Sequence, residues 1–550
     1  MTTERKPRPR AALVFCTALL ATVVVLLCLI PKAENDLFFI LRIGTDIVTR
    51  ERVPHFDTYS WTNYGTSWAL PEWLAFVLYA LAFRAGGFFG TWALMVCLTL
   101  AMALTVWWWL LRRLRPAWAF PLAALMLLAL SDCLQERPYA FTYPLLAVGV
   151  VLLMRAHAGR PRLLLWLPPL CVVWTNLHQG FLALVGLLLA YALGDALSAL
   201  WLKIQAARVV PDLTLPPEAR AVDTTERRRL TARAAWMLAT ACACALAGMI
   251  SPYGWRVYWN VFITLRNHTL MANVTEWNPA TVLPLAQLQP FLLLTAVAVL
   301  ALTLSRRRNL GDALALAALF GQALLHARSI PLFAIAGLVI IAPHFGYAVR
   351  AVRRRLRLSV RPAARGLLLA ACALVFVAML ALVCVANLRR AVGPLGYSAE
   401  GIGEAVARVP SFPHAACAFM DAARFPTDLR LLNDFETGGY LMWRRPAQRV
   451  FVDGRLDVYA GRTFDDMLTL SRDSGTSAWT ALVRRYDFDC VLTTDTRQAE
   501  AFAADSQWQL VYTDLKNARK PRCRILLRRR PEFAALIARC QDVIRGKLKA

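Results

Sequence analysis

Eleven apolar stretches separated by short arginine-rich runs occupy this 550-residue chain from its start to about residue 387, and a water-soluble core cannot absorb that many. They run over about 11–30, 90–111, 116–132, 140–155, 162–175, 180–202, 233–250, 288–305, 311–326, 330–349 and 366–387. The longer ones approach the ~20 apolar residues that a helix needs to cross a hydrocarbon core. Hydrophobic residues make up 58% of the chain. The formal charge of +27 does not form a nucleic-acid stripe, because the basic residues sit between the apolar stretches. The class is therefore a polytopic membrane protein, with about eleven spans expected.

Orientation follows from the basic runs. Arg5, Lys6, Arg8 and Arg10 precede the first stretch, and Arg112 to Arg115, Arg155 to Arg162, Lys203 to Arg233, Arg306 to Arg308 and Arg350 to Arg365 fall in alternate loops. The positive-inside rule puts those loops and the amino terminus in the cytoplasm. The first stretch ends Cys28-Leu29-Ile30-Pro31, which is not a small-x-small cleavage site, and is expected to be an anchor rather than a signal peptide. Trp73 to Phe83 is apolar but too short to cross, so it is expected to be a separate helix against the interface, ending near Gly86-Gly87. Residues 31–89 and 251–287 then form outer loops.

From about Asn387 to Ala550 the pattern changes. Runs such as Arg449–Val452, Cys490–Thr493, Gln509–Tyr512 and Arg524–Leu527 read as strands, and Ala478–Arg485 reads as a helix. The expectation is a membrane domain over 1–386 followed by an extracytoplasmic α/β domain over 387–550 with a partly parallel sheet. Thirteen cysteines include no Cys-x-x-Cys pair. Cys417, Cys490, Cys523 and Cys540 fall in the outer domain, where a disulfide is permitted but no pairing is assigned.

Glu34 and Asp36 open the first outer loop beside Leu37-Phe38-Phe39-Ile40-Leu41, a short apolar helix with Asn35 as its expected N-cap. Carboxylates there either cap the helix or perform chemistry at the membrane surface. Asp57, Glu72, Arg137, Asn176, His178, Glu276 and Arg328 share the outer face on this topology. His178 is open to two readings, a metal or acceptor contact and a satisfied turn residue. Asp453-Gly454-Arg455 reads as a turn or as a functional loop.

The order Glu34-x-Asp36-Leu37-Phe38-Phe39-x-x-Arg42-x-Gly44, Pro54-x-x-Asp57-x-Tyr59-Ser60-x-Thr62-x-x-Gly65, Glu72-Trp73-Leu74, Trp174-x-Asn176-Leu177-His178-x-Gly180 and Arg328-x-Ile330-Pro331 resembles bacterial membrane proteins of the GT-C glycosyltransferase superfamily. Asn433-Asp434-Phe435-x-x-Gly438-Gly439-Tyr440 and Phe451-Val452-Asp453-Gly454-Arg455-x-Asp457-x-Tyr459 extend the resemblance through the outer domain.

The resemblance implies an inverting transfer of a sugar from a polyprenyl-phosphate carrier to an acceptor glycan, lipid or protein at the outer face of the inner membrane. Asp36, with Glu34 second, takes the acidic role, and Arg42, Arg137 and Arg328 are the implied donor-phosphate ligands. Asp57, Glu72, His178 and Glu276 are candidates for acceptor or metal contacts, and a divalent metal is the cofactor the pattern allows. The related pattern reads Asp-x-Asp-x-Trp-Trp-His, whereas this chain has Glu34, Phe38-Phe39 and Ile40, which removes an imidazole from the loop. A non-catalytic scaffold or glycan-binding protein, and a transporter or flippase, remain the competing classes. Against the transporter, the sequence shows no repeat and few ionisable residues inside the stretches.

Overall fold

A computed structural model describes residues 10–28, 35–208, 217–274, 277–305, 309–355, 412–459, 461–514 and 523–546. The chain divides into two compact units. A helical unit draws on residues 1–30, 92–257 and 274–393, and a loop–domain unit on 31–91, 258–273 and 394–550.

In the helical unit most of the apolar stretches become helices, with few polar residues to interrupt them. Seven helices of the described chain are long and apolar enough to cross a membrane: Trp73–Leu111, Pro116–Cys133, Tyr139–His157, Phe181–Ala206, Thr224–Ala247, Leu285–Leu304 and Ala327–Ala351. Leu13–Cys28 and Leu310–Leu325 are apolar but shorter. The stretch expected at 162–175 is not one span. Pro161 starts a 3-10 turn to Trp166, and the helix Leu167–Leu177, which carries Pro168 and Pro169 in its first turn, covers only about 16 Å. The stretch at 366–387 lies outside the described residues.

The helix Trp73–Leu111 contains a break where the sequence placed one. Gly86 (φ −155°, ψ 22°) and Gly87 (φ 59°, ψ −145°) leave helical geometry, and the Gly87 conformation is one that a side chain resists. Its first part, before the break, belongs to the loop–domain unit.

The few ionisable residues in or at the ends of the spans are paired with one another. His157 Nε2 lies 3.1 Å from Asp195 Oδ2, and Arg233 also pairs with Asp195. Tyr191 donates to Asp312 at 2.6 Å, and His344 Nε2 lies 2.8 Å from the other Asp312 oxygen. Each carboxylate is buried, and each has its partners.

The loop–domain unit is built on a four-stranded sheet of order β1-β2-β4-β3, with β1 Leu431–Asn433, β2 Cys490–Thr493, β3 Trp508–Thr513 and β4 Arg524–Arg528. β1 and β2 are parallel and the other pairs antiparallel, so the sheet is partly parallel as expected. The helix expected at 478–485 is Ser477–Tyr486. The run Arg449–Val452 is not a sheet strand. Its backbone pairs with the first loop instead, in a parallel bridge between Val450 and Ser60. Cys417, Cys490, Cys523 and Cys540 are buried free thiols.

The first-loop helix is longer than its apolar start suggested, running Asn35–Arg50. Leu37, Phe38, Ile40, Leu41, Ile43 and Ile47 are buried. Phe38 meets Phe412, Tyr440 and Trp443 at ring-centroid distances of 4.7, 4.9 and 5.3 Å. On another side, a Cβ at Gly44 would run into the Phe76 backbone, so glycine permits the close approach of the helix that starts at Trp73.

Candidate active site

Residues 54–68 are fastened to residues 450–463 by a dense set of hydrogen bonds. Trp61 N donates to Val450 O at 3.0 Å and Val450 N to Tyr59 O at 3.1 Å. Thr62 Oγ1 reaches Phe451 O at 2.6 Å, and Asn63 Nδ2 reaches Val458 O at 2.6 Å. Beneath them Arg455 is buried, with Nη1 donating to Asp57 at 2.8 Å and Nε and Nη2 to the two Asp453 oxygens at 2.8 and 2.6 Å. Burial opposes that charge, but Asp453, Tyr459 and Asp57 outweigh it and hold the Arg455 pKa above the usual guanidinium value. Asp57 also accepts from the backbone of Tyr59 and Ser60 and from the Ser60 hydroxyl. Its lone pairs are thus engaged within the fold.

Asp36 stands in the first turn of the helix Asn35–Arg50, where the helix dipole favours a carboxylate. The Asp453-Gly454-Arg455 turn is built against it. A Cβ on Gly454 would lie 2.7 Å from Phe39 Cε1 and closer still to Asp36 Oδ1. One on Gly439 would lie 2.6 Å from Asn35 O. The two glycines therefore let the outer-domain backbone come against the start of this helix.

Asp457, which sequence reasoning left out of the site, follows on the same loop. It accepts from Trp68 Nε1 at 2.9 Å and from Asn260 Nδ2 at 3.4 Å. Burial pushes its pKa above the usual carboxylate range, against those hydrogen bonds and the Arg455 charge. The available signal was its place in Asp453-Gly454-Arg455-x-Asp457-x-Tyr459, but spacing alone cannot pair it with Trp68, 389 residues earlier. Arg42 pairs with Asp46 at 3.3 Å and donates to Pro446 O at 3.2 Å. Glu72 precedes the helix that starts at Trp73, and its carbonyl accepts from Phe76 N.

Arg137, Asn176, His178 and Arg328 belong to the helical unit. Asn176 Nδ2 donates to Val172 O and Ile250 O at 2.8 and 2.9 Å, a structural tie. His178 follows the helix Leu167–Leu177, and its Nδ1 accepts from Gly180 N at 3.0 Å and lies 2.8 Å from Thr142 Oγ1. Trp174 Nε1 donates to that same Thr142 oxygen at 2.9 Å, so the threonine proton is directed to Nδ1. Nδ1 is therefore unprotonated, and the neutral ring carries its proton on Nε2. Burial, helped by the Arg328 charge, pushes the His178 pKa down to about 3. Arg328 lies 4.3 Å from the Trp277 ring centroid, a cation–π contact. Arg137 is half-buried in the turn before the helix Tyr139–His157.

Glu34 and Glu276 lie outside the described residues. Among the described residues no group of three or more His, Cys, Asp or Glu side chains is arranged to hold a metal ion.

No protein-family model matches the chain, and no curated protein matches it. Among solved structures it resembles the apo oligosaccharyltransferase of Archaeoglobus fulgidus, at 11% identity and a TM-score of 0.51 over 87% of this chain and 69% of that one. It also resembles the archaeal oligosaccharyltransferase AglB from Archaeoglobus fulgidus, solved with an inhibitory peptide and a dolichol-phosphate. That match has 11% identity and a TM-score of 0.54, over 88% of this chain and 69% of that one. At such identity the likeness is one of fold: a GT-C-like polytopic helical protein with a soluble carboxyl-terminal α/β domain.

Proposed function

We propose that this chain is a GT-C-type membrane glycosyltransferase that moves a sugar from a polyprenyl-phosphate carrier to an acceptor on the outer face of a bacterial inner membrane, its amino terminus cytoplasmic and its α/β domain extracytoplasmic. The observation that carries the reading is Asp36. In a fold shared with oligosaccharyltransferases, an acidic residue at the start of the first loop helix has the Gly454 turn built against it.

In the proposed reaction Asp36 takes the proton of an acceptor hydroxyl as that oxygen attacks the anomeric carbon. The bond from that carbon to the phosphate oxygen breaks, its electron pair leaves with the phosphate, and configuration inverts. Guanidinium groups suit the leaving phosphate because their donors match its geometry, and Arg42, which belongs to the same unit as Asp36, is assigned that role, with Glu34 second to Asp36.

The test is transfer of labelled sugar from a panel of polyprenyl-phosphate sugars by purified protein in lipid nanodiscs, comparing wild type with Asp36→Asn. Transfer or donor hydrolysis by wild type alone supports the enzyme. No turnover by folded protein with any donor favours a glycan-binding scaffold. Adding Mg2+ or a chelator to the same assay decides whether a divalent cation takes part.

The transporter reading draws support from one observation, the buried Asp195–His157 and Asp312–His344 pairs of the helical unit. Proton flux in proteoliposomes would favour it.

A further inference from the structure

The loop–domain unit holds a cavity of about 300 Å3 that the proposed reaction does not use as a whole. Its volume is at the lower end of small-molecule pockets, enough for a single sugar unit. Three guanidinium groups line it, those of Arg42, Arg50 and Arg449, against one carboxylate, Asp46. Asp46 is engaged by Arg42 at 3.3 Å. Arg50 and Arg449 are exposed and have no ion-pair partner among the described residues, so two positive charges stay uncompensated. Arg449 lies 4.0 Å from the Tyr64 ring centroid, a contact that orients it at the rim.

The deeper wall carries unused hydrogen-bonding capacity. Arg42 Nε is buried with no hydrogen-bond partner in the described structure. The Gln448 amide is buried too, and its Nε2 donates to Leu429 O and Arg449 O at 3.2 and 3.0 Å. Those two carbonyls fix which end of the amide is nitrogen, and the remaining Oε1 has no partner. Buried groups of this kind are rarely left empty-handed in a finished complex. The lining thus combines three guanidinium groups with two buried acceptors that make no hydrogen bond, Gln448 Oε1 and Asp46 Oδ2. A small oxyanion held by the donors fills only part of a cavity of about 300 Å3, whereas an anionic group carried on a hydroxylated ring fills it and offers hydroxyls to the acceptors.

We propose that this cavity binds an acidic sugar unit, one bearing a carboxylate or a phosphate, with its anionic group at Arg50 and Arg449, the two lining guanidinium groups that no carboxylate neutralises, and a hydroxyl donating to Gln448 Oε1. The word sugar rests on the glycosyltransferase reading; the anion site does not.

Isothermal titration of the full-length protein in zwitterionic nanodiscs with glucuronic acid, glucose 6-phosphate, glucose and inorganic phosphate tests the proposal without any transfer step. The two acidic sugars are expected to bind, with glucose and inorganic phosphate each weaker by about tenfold or more. Arg50→Gln and Arg449→Gln, both at exposed positions, are expected to weaken glucuronic acid binding by a similar factor at an unchanged melting temperature. Equal binding of glucose and glucuronic acid, or full affinity in both variants, would overturn the site. Inorganic phosphate binding as well as glucose 6-phosphate would overturn its preference for a sugar. Displacement of glucuronic acid by polyprenyl phosphate in the nanodisc would reassign the pocket to a lipid phosphate and overturn the proposal in this form, and undisturbed binding supports it. Binding without transfer would sink the enzyme reading and leave the pocket standing.

Discussion

Arg455 donates from Nη1 to Asp57 at 2.8 Å across 398 residues of sequence, and both side chains are buried, 2% and 0% exposed. The bond is part of what welds residues 54–68 to the α/β domain. Removing the Asp57 carboxylate leaves Arg455 paired with Asp453 but strands its Nη1 donor and the Tyr59 and Ser60 backbone donors, each unsatisfied buried group costing about 1–3 kcal/mol. Asp57→Ala is therefore expected to lower the melting temperature of the purified protein markedly and to open residues 51–72 to protease. A variant as stable and as protease-resistant as wild type would show that the weld does not depend on this pair.

Gly454 is expected to be as sensitive as Asp36 for a different reason. Alanine there places a methyl against Asp36 Oδ1 and the Phe39 ring, an overpacking worth about 1–3 kcal/mol. Gly454→Ala should move the carboxylate and reduce donor turnover strongly, while Asp36→Asn should abolish turnover at wild-type stability. Normal turnover in Gly454→Ala protein would mean that the position of Asp36 is not critical.

What could be read from the sequence was whatever depended on neighbours along the chain. The uncharged runs announced the helices, and Gly86-Gly87 announced the break after the first apolar turns following Trp73. Cys490–Thr493 and Arg524–Leu527 announced strands through their β-branched and apolar residues. The failures share a physical cause. Pro168 and Pro169 restrict the first turn of a stretch whose hydropathy alone suggested a span. Val450 spends its hydrogen bonds on Tyr59 and Trp61 rather than on the sheet, a partnership nearly 400 residues long. Asp57, offered as an acceptor contact, has its oxygens occupied by Arg455, Tyr59 and Ser60, which local spacing does not reveal. Asp36 was legible as an acidic residue at a helix start, yet the glycine turn against it was not.

His178 should make the fold acid-sensitive. Its folded pKa is pushed down to about 3 from an ordinary value near 6.5, so below pH ~6.5 the unfolded chain takes up a proton that the folded one refuses. Stability contributed by this group is complete above pH ~6.5 and declines as pH falls toward 3. His178→Gln is expected to flatten that part of the melting-temperature profile between pH 4 and 6.5, measured in nanodiscs. A slope identical to wild type would show that His178 is not the group responsible. The same depression keeps the ring neutral at physiological pH, so a rate profile governed by a group titrating near 6 would have to come from elsewhere.

The Asp195 cluster offers the sharpest division between the proposed enzyme and a proton pathway. Asp195 is 3% exposed and holds both His157 and Arg233, so Asp195→Ala strands a cation and is expected to cost about 3 kcal/mol, the lower end for a broken buried pair because Arg233 keeps 26% of its side chain accessible. If the cluster serves only to join its helices, the loss appears in the melting temperature, and turnover per folded molecule stays near wild type. A proton pathway predicts the reverse emphasis: a variant such as His157→Gln, which leaves the Asp195–Arg233 pair in place, should retain most stability and lose flux or coupled activity. Measuring turnover, proton flux and melting temperature on these two variants therefore separates a structural lock from a working relay, and retained turnover with no flux in wild type would remove the transporter reading.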